Sequence, residues 1–264
     1  MADLASQNAE PSISIYPAQR KPLGKRAGRV EVGRGMGLSL SELRNSLPAG
    51  GLFGGGVWRW SPEPLKLGRA EARSMLELGH PLAQFQQACD AIYRRSAAGK
   101  LPGWLADLLD QGKPDWMARL QRQPSTATQF PRVFRPDLML TQTGFALTEL
   151  DSVPGGIGVA AWLARIYSRA GFEVLGGPAG MLDGFRSLMP DGGTVLVSKE
   201  SADYRPEMEW LTAELGSAWN VAAAETYQPD GRALYRFFEL FDWQSIPAAR
   251  LLAEGAATGK IRLT

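Results

Sequence analysis

The run RPDLMLTQTGFALTELDSVPGGIGVAAWLARIYSRAG, residues 135–171, constrains the fold of this chain more than any other stretch. Two strand-like segments, 133–141 and 145–151, flank the turn sequence TQTGF. The second passes through a glycine turn into a helical pattern of apolar residues. A hairpin loop of Gln142, Thr143 and Gly144 puts Gly144 in the left-handed position of a three-residue turn. Thr141 then faces Phe145, Asp137 faces Glu149 and Arg135 faces Asp151. Opposed side chains of an antiparallel pair share a face, so Arg135, Asp137, Glu149 and Asp151 are expected together. A loop one residue longer or shorter turns Asp137 to the other face and leaves a solvated hairpin.

Carboxylates held within about 5 Å of one another repel, and one guanidinium does not neutralise three of them. A hard divalent cation does, because Mg²⁺ takes carboxylate and phosphate oxygens around an octahedron. Arg135 adds a planar donor fork suited to a phosphoryl group or a tetrahedral oxyanion. Gly155, Gly156 and Gly158 open the following helix, and their amides are expected to cradle an anion. A second reading starts from GIGVAA (156–161), which fits the dinucleotide fingerprint G-x-G-x-x-A. Two features count against it. Glu149 and Asp151 would flank the pyrophosphate, and the expected second strand, FEVLGGP, ends in glycines where an acid should hold the ribose.

Beyond residue 130 further strand-like runs fall at 173–176, 194–198 and 220–226, with helical runs at 157–170, 179–188 and 205–215. That alternation predicts an α/β region with some parallel pairing. Residues 51–130 read as a mainly helical layer. Its longest pattern, from Arg69 to about Ala98, is interrupted by His80–Pro81. GWLADLLDQG and PDWMARLQRQ add shorter helices. Trp58 and Trp60 are expected to pack, with base stacking as the rarer alternative. Residues 1–50 read as a flexible basic leader containing RKPLGKRAGR, with a short helix at SLSELRNSL.

A net charge of +2 gives no argument for nucleic acid. The chain shows no apolar run long enough to span a membrane and no secretory signal, so a cytoplasmic protein is expected. The single cysteine, Cys89, excludes an intrachain disulfide, and its helix is expected to bury it. With one histidine, His80, neither a histidine-rich zinc site nor a Ser-His-Asp triad is expected.

On RPD (135–137) and ELDSVPGG (149–156), twelve positions apart from Asp137 to Glu149, the sequence resembles the circularly permuted ATP-grasp ligases of the glutathionylspermidine synthase type. In that family an Arg-x-Asp strand precedes a Glu-x-Asn strand. The resemblance covers about residues 130–245. It takes in GTVLVSKESADYRPEMEWLTAELG, similar to the strand and helix of an embedded, Rossmann-like pre-ATP-grasp subdomain. It also takes in LYRFFELFDW, where Glu239 replaces a lysine and Asp242 a proline. The resemblance implies that Asp137, Glu149 and Asp151 are magnesium ligands and that Arg135 meets the transferred phosphate. Asp151 stands where the family has asparagine, and SVPGG departs from its threonine-rich loop. The family's nucleotide-gripping lysines and final metal carboxylates have no counterpart before Thr264, so the chain is expected to be the N-terminal portion of such a protein.

The expected fold class is therefore α/β (α+β): a helical layer, then a mixed α/β ATP-grasp-like region over 131–264 that is incomplete at its C-terminus. The expected function is an ATP-dependent carboxylate–amine ligase working through an acyl phosphate. Its cofactors would be Mg²⁺ and ATP, and its partners a small-molecule carboxylate and an amine, with no nucleic acid and no membrane. The alternatives are a non-catalytic binding or scaffold protein on the same framework and, further off, a dinucleotide-binding protein.

Overall fold

The computed structural model describes residues 37–54, 58–142, 144–239 and 241–264. Most of the leader read over 1–50 therefore lies outside the described residues. From Met36 onward the chain forms one compact unit.

Its first helix, α1 (Leu40–Asn45), starts where SLSELRNSL places it. Ser39 Oγ accepts the Glu42 N–H at 3.1 Å, and the Glu42 carboxylate accepts the Ser39 N–H at 2.8 Å. This reciprocal box satisfies two amides that a helix start leaves orphaned. The one-turn helix α2 (Gly51–Gly54) brings Phe53 inward. The long pattern after Arg69 splits into α3 (Arg69–Glu77) and α4 (Gly79–Ala97), broken at Leu78. Pro81 falls in the first turn of α4, where its missing N–H costs no helical bond. Two short helices follow, α5 (Trp104–Asp110) and α6 (Asp115–Gln121).

Strands β1 (Arg135–Thr141) and β2 (Gly144–Asp151) form a separate antiparallel hairpin. After it come α7 (Ile157–Arg169) and α8 (Gly180–Leu188). Strand β3 (Gly193–Val197), helix α9 (Arg205–Leu215), strand β4 (Trp219–Ala223) and strand β5 (Leu234–Phe237) build a second sheet in the order β4–β3–β5, with both pairings parallel. Helix α10 (Ala249–Ala257) returns the chain so that Leu263 bridges Leu234 in parallel beside β5.

Every residue of β3 is buried, as a central parallel strand covered on both faces requires. Its side chains alternate between two cores. Val195 and Val197 join Tyr235 and Phe237 against α7, α8 and α9, whereas Leu196 joins Leu234, Phe238, Trp243 and Leu252 on the α10 side. Met117 of α6 packs in that second core, tying the helical layer to the sheet. A third cluster sets Phe53 edge-on to Trp162 and Trp210, at 6.2 Å between ring centroids in each case. Trp60 also meets Trp162 edge-on, while Trp58 stays half exposed.

Two further expectations fail here. Residues 173–176 form no strand; the chain there turns through Gly176 and Gly177, both at positive φ. Cys89 is exposed rather than buried. It lies near the inward side of α4, which buries Leu82, Tyr93 and Ser96, but the neighbouring elements stand back from it and leave a cavity. Among the described residues no helix is long and apolar enough to cross a membrane.

Candidate functional site

The hairpin pairs Arg135 with Asp151 and Asp137 with Glu149, the expected partners reached by a different route. Thr141 pairs with Gly144, not with Phe145, so the loop is one residue shorter than expected; Thr143 lies outside the described residues. A bulge on β2, opposite the step from Asp137 to Leu138 on β1, absorbs the difference, because Leu138 pairs with Leu147 and Thr148 is the extra residue. The Thr148 hydroxyl donates to the Asp137 carbonyl at 3.0 Å across the bulge. Two one-residue changes cancel, and all four charged residues share one face.

Arg135 organises that face. Its Nε lies 3.0 Å from Asp137 Oδ1 and its Nη2 3.3 Å from Asp151 Oδ2, while Nη1 donates to the Gly155 carbonyl at 3.3 Å. Asp151 Oδ1 also accepts the Val153 N–H at 2.7 Å, which fixes the exit from β2. Glu149 is exposed and, among the described residues, makes no ion pair. The guanidinium thus occupies the space between two of the expected magnesium ligands. Among the described residues no group of three His, Cys, Asp or Glu side chains is gathered so as to hold a metal ion. As they stand, the Asp137 and Asp151 carboxylates are organised around the Arg135 guanidinium.

The glycine turn is occupied too. Glu207, the third residue of α9, is fully buried. Its carboxylate accepts the Gly156 N–H at 2.7 Å and the Val159 N–H at 3.2 Å. It sits at the positive end of α7, where an anion is favoured. Burial pushes the Glu207 carboxyl above its ordinary value, and the amides of Gly156, Val159 and Gly158 offset only part of that. The glycines admit this close approach. A Cβ on Gly158 would stand 2.4 Å from the Glu207 carbonyl oxygen, and one on Gly155 would stand 2.1 Å from the Tyr204 ring. An incoming phosphate would have to displace Glu207 to use these amides.

Sequence reasoning missed the role of Glu207 because its partner amides lie 48 to 51 positions away. It also missed an acidic group at the C-terminal ends of β3 and β5. Buried Asp242 accepts the Ser198 hydroxyl at 2.9 Å and the Glu239 N–H at 3.0 Å through Oδ2, while its buried Oδ1 has no hydrogen-bond partner among the described residues. Burial, with Asp151 and Asp242 nearby, pushes the Glu239 carboxyl up, against the pull of Arg236. Arg236 itself lies over the Phe238 ring and donates to the Phe238 carbonyl. The only signal was the pair of departures at Glu239 and Asp242.

The dinucleotide reading requires a βαβ unit. Here β2 belongs to an antiparallel hairpin, and no strand forms at 173–176. Comparison with protein-family models, curated proteins and solved structures finds no match.

Proposed function

We propose that the chain carries the acid-bearing hairpin and small parallel-sheet unit of an ATP-dependent carboxylate–amine ligase of the ATP-grasp type. One observation supports this most: Arg135, Asp137, Glu149 and Asp151 share one hairpin face despite the shortened loop. Asp137, Glu149 and Asp151 would hold Mg²⁺, whose chemistry there is to neutralise phosphate charge during acyl phosphate formation. Arg135 would turn from its carboxylates to the transferred phosphoryl group. Gly155, Gly156 and Gly158 would contact nucleotide only after Glu207 gave way. The substrates would be a small carboxylate and an amine.

A second reading, a non-catalytic binding protein on the same framework, is supported by how fully these groups already satisfy one another. Arg135 is bound to both acids, and the α7 amides are bound to Glu207. Thermal unfolding with increasing Mg²⁺-ATP separates the two readings, because a ligand of the native state raises the midpoint with occupancy. The ligase reading expects a rise in wild type that Asp137→Asn and Glu149→Gln weaken without loss of fold. A midpoint that ignores Mg²⁺-ATP, or that rises equally in all three proteins, rejects the magnesium assignment.

A further inference from the structure

A cavity of about 460 Å³ lies far from the glycine turn in sequence, between α4, α6 and α10. Its size is within the range of about 300–1,000 Å³ typical of small-molecule sites. Trp243, Leu109, Leu120 and Leu263 supply apolar wall, and the exposed Cys89 stands on its α4 side. The charged groups on the wall are already paired, with Asp110 shared between Lys113 and Arg122. Arg94 Nε binds Asp90 at 2.7 Å, with its remaining nitrogens on the Gln123 carbonyl and the Thr126 hydroxyl. Lys113 binds Asp110 at 3.3 Å and lies over the Tyr93 ring. An ionic ligand would have to break one of these pairs.

Two of the three amides on the wall, Gln121 and Gln129, are engaged on one side only among the described residues. Gln121 uses its oxygen to accept from Lys113 at 2.9 Å, which leaves its NH₂ group to donate. Gln129 uses its NH₂ group on the Ser125 and Ala256 carbonyls, which leaves its oxygen to accept. An unused donor and an unused acceptor on an apolar wall whose charges are already paired match an uncharged ligand with an apolar body and an amide-like edge. Such a ligand satisfies both groups without breaking an ion pair, and unpaired polar groups on a site are costly to leave so once it is closed.

We propose that this cavity binds an uncharged small molecule that joins an aromatic or aliphatic body to an amide-like edge. The site does not depend on the ligase reading. Because Cys89 is the only cysteine, its alkylation by a neutral maleimide reports occupancy at one position. The probe is benzamide, with benzoate as the charged analogue of the same shape. Benzamide should slow Cys89 alkylation by the factor 1 + [L]/Kd, about tenfold at about ten times Kd, and raise the unfolding midpoint. Benzoate should do neither at matched concentration. Gln121→Leu and Gln129→Ala should each weaken the protection, and either suffices if the other fails to fold. Benzamide without effect, benzoate equally effective, or full protection in both variants would overturn the proposal.

Discussion

Glu207 shows how one residue can settle what a motif cannot. The glycine turn predicts an anion at the start of α7, and an anion is there, supplied by α9. Spacing identifies the demand for negative charge but not its source, because the source is distant in sequence. The close approach of α9 also fixes the glycines. Gly158→Ala should destabilise the protein by about 1–3 kcal/mol through overpacking. Gly184→Ala on α8, where an added Cβ meets nothing within 4 Å, should be neutral or slightly stabilising. Urea unfolding of the pair checks this, and equal midpoints would refute the contact's importance. Protonation gives a second handle. Since burial holds the Glu207 carboxyl above 4.5, the native state keeps a proton over a range where the unfolded chain has released it. Stability from this group therefore falls as pH rises through that range and returns on acidification. The difference in unfolding free energy between wild type and Glu207→Gln, followed with pH, should show that fall. A flat difference would assign the pH dependence elsewhere.

At the scale of elements, period and punctuation made much of the fold legible. The runs at 157–170, 179–188 and 205–215 correspond to α7, α8 and α9, and the capping box marks α1. The run at 173–176 had β-like composition but lacks a sheet neighbour, and Gly176 and Gly177 turn the chain instead. The hairpin is the instructive case. The sequence carries turn residues that suit a short loop of more than one length, so it does not choose between them. A bulge, which depends on cross-strand packing and leaves little mark in the sequence, then restored the pairing at the acids. The expected face was reached although the reasoning about the loop was not, and the same lesson applies to any register argued from turn length alone.

For the whole molecule, the alternation beyond residue 130 signalled parallel pairing, and the two-sided burial of β3 bears that out. The distribution of burial predicts where the native state opens first. Amides of β3 and of Met208–Leu211 in α9 lie within or against the double core, whereas α3 buries no residue at all. Native-state hydrogen exchange should accordingly be slowest over Thr194–Val197 and Met208–Leu211 and fastest, among the helices of nine or more residues, over Arg69–Glu77. Uniform protection across these segments would mean that only global unfolding exposes them. What could not be read from the sequence is how the candidate site is satisfied. Arg135 acts through contacts that exist once the hairpin and its exit turn have formed, and Glu207 through contacts that exist only after α9 has packed on the start of α7.

Glu207 is also a latch. Its carboxylate lies on α9 and its bonds lie on the glycine turn and the first turn of α7, so the two helices are tied at a single buried group. Lifting the glycine turn would strip that carboxylate of its amide donors before water could reach it, and the cost would fall at the first step of the motion. A partner that seeks to pry the glycine turn from α9 must therefore bring an acceptor for the amides and a donor for Glu207 together.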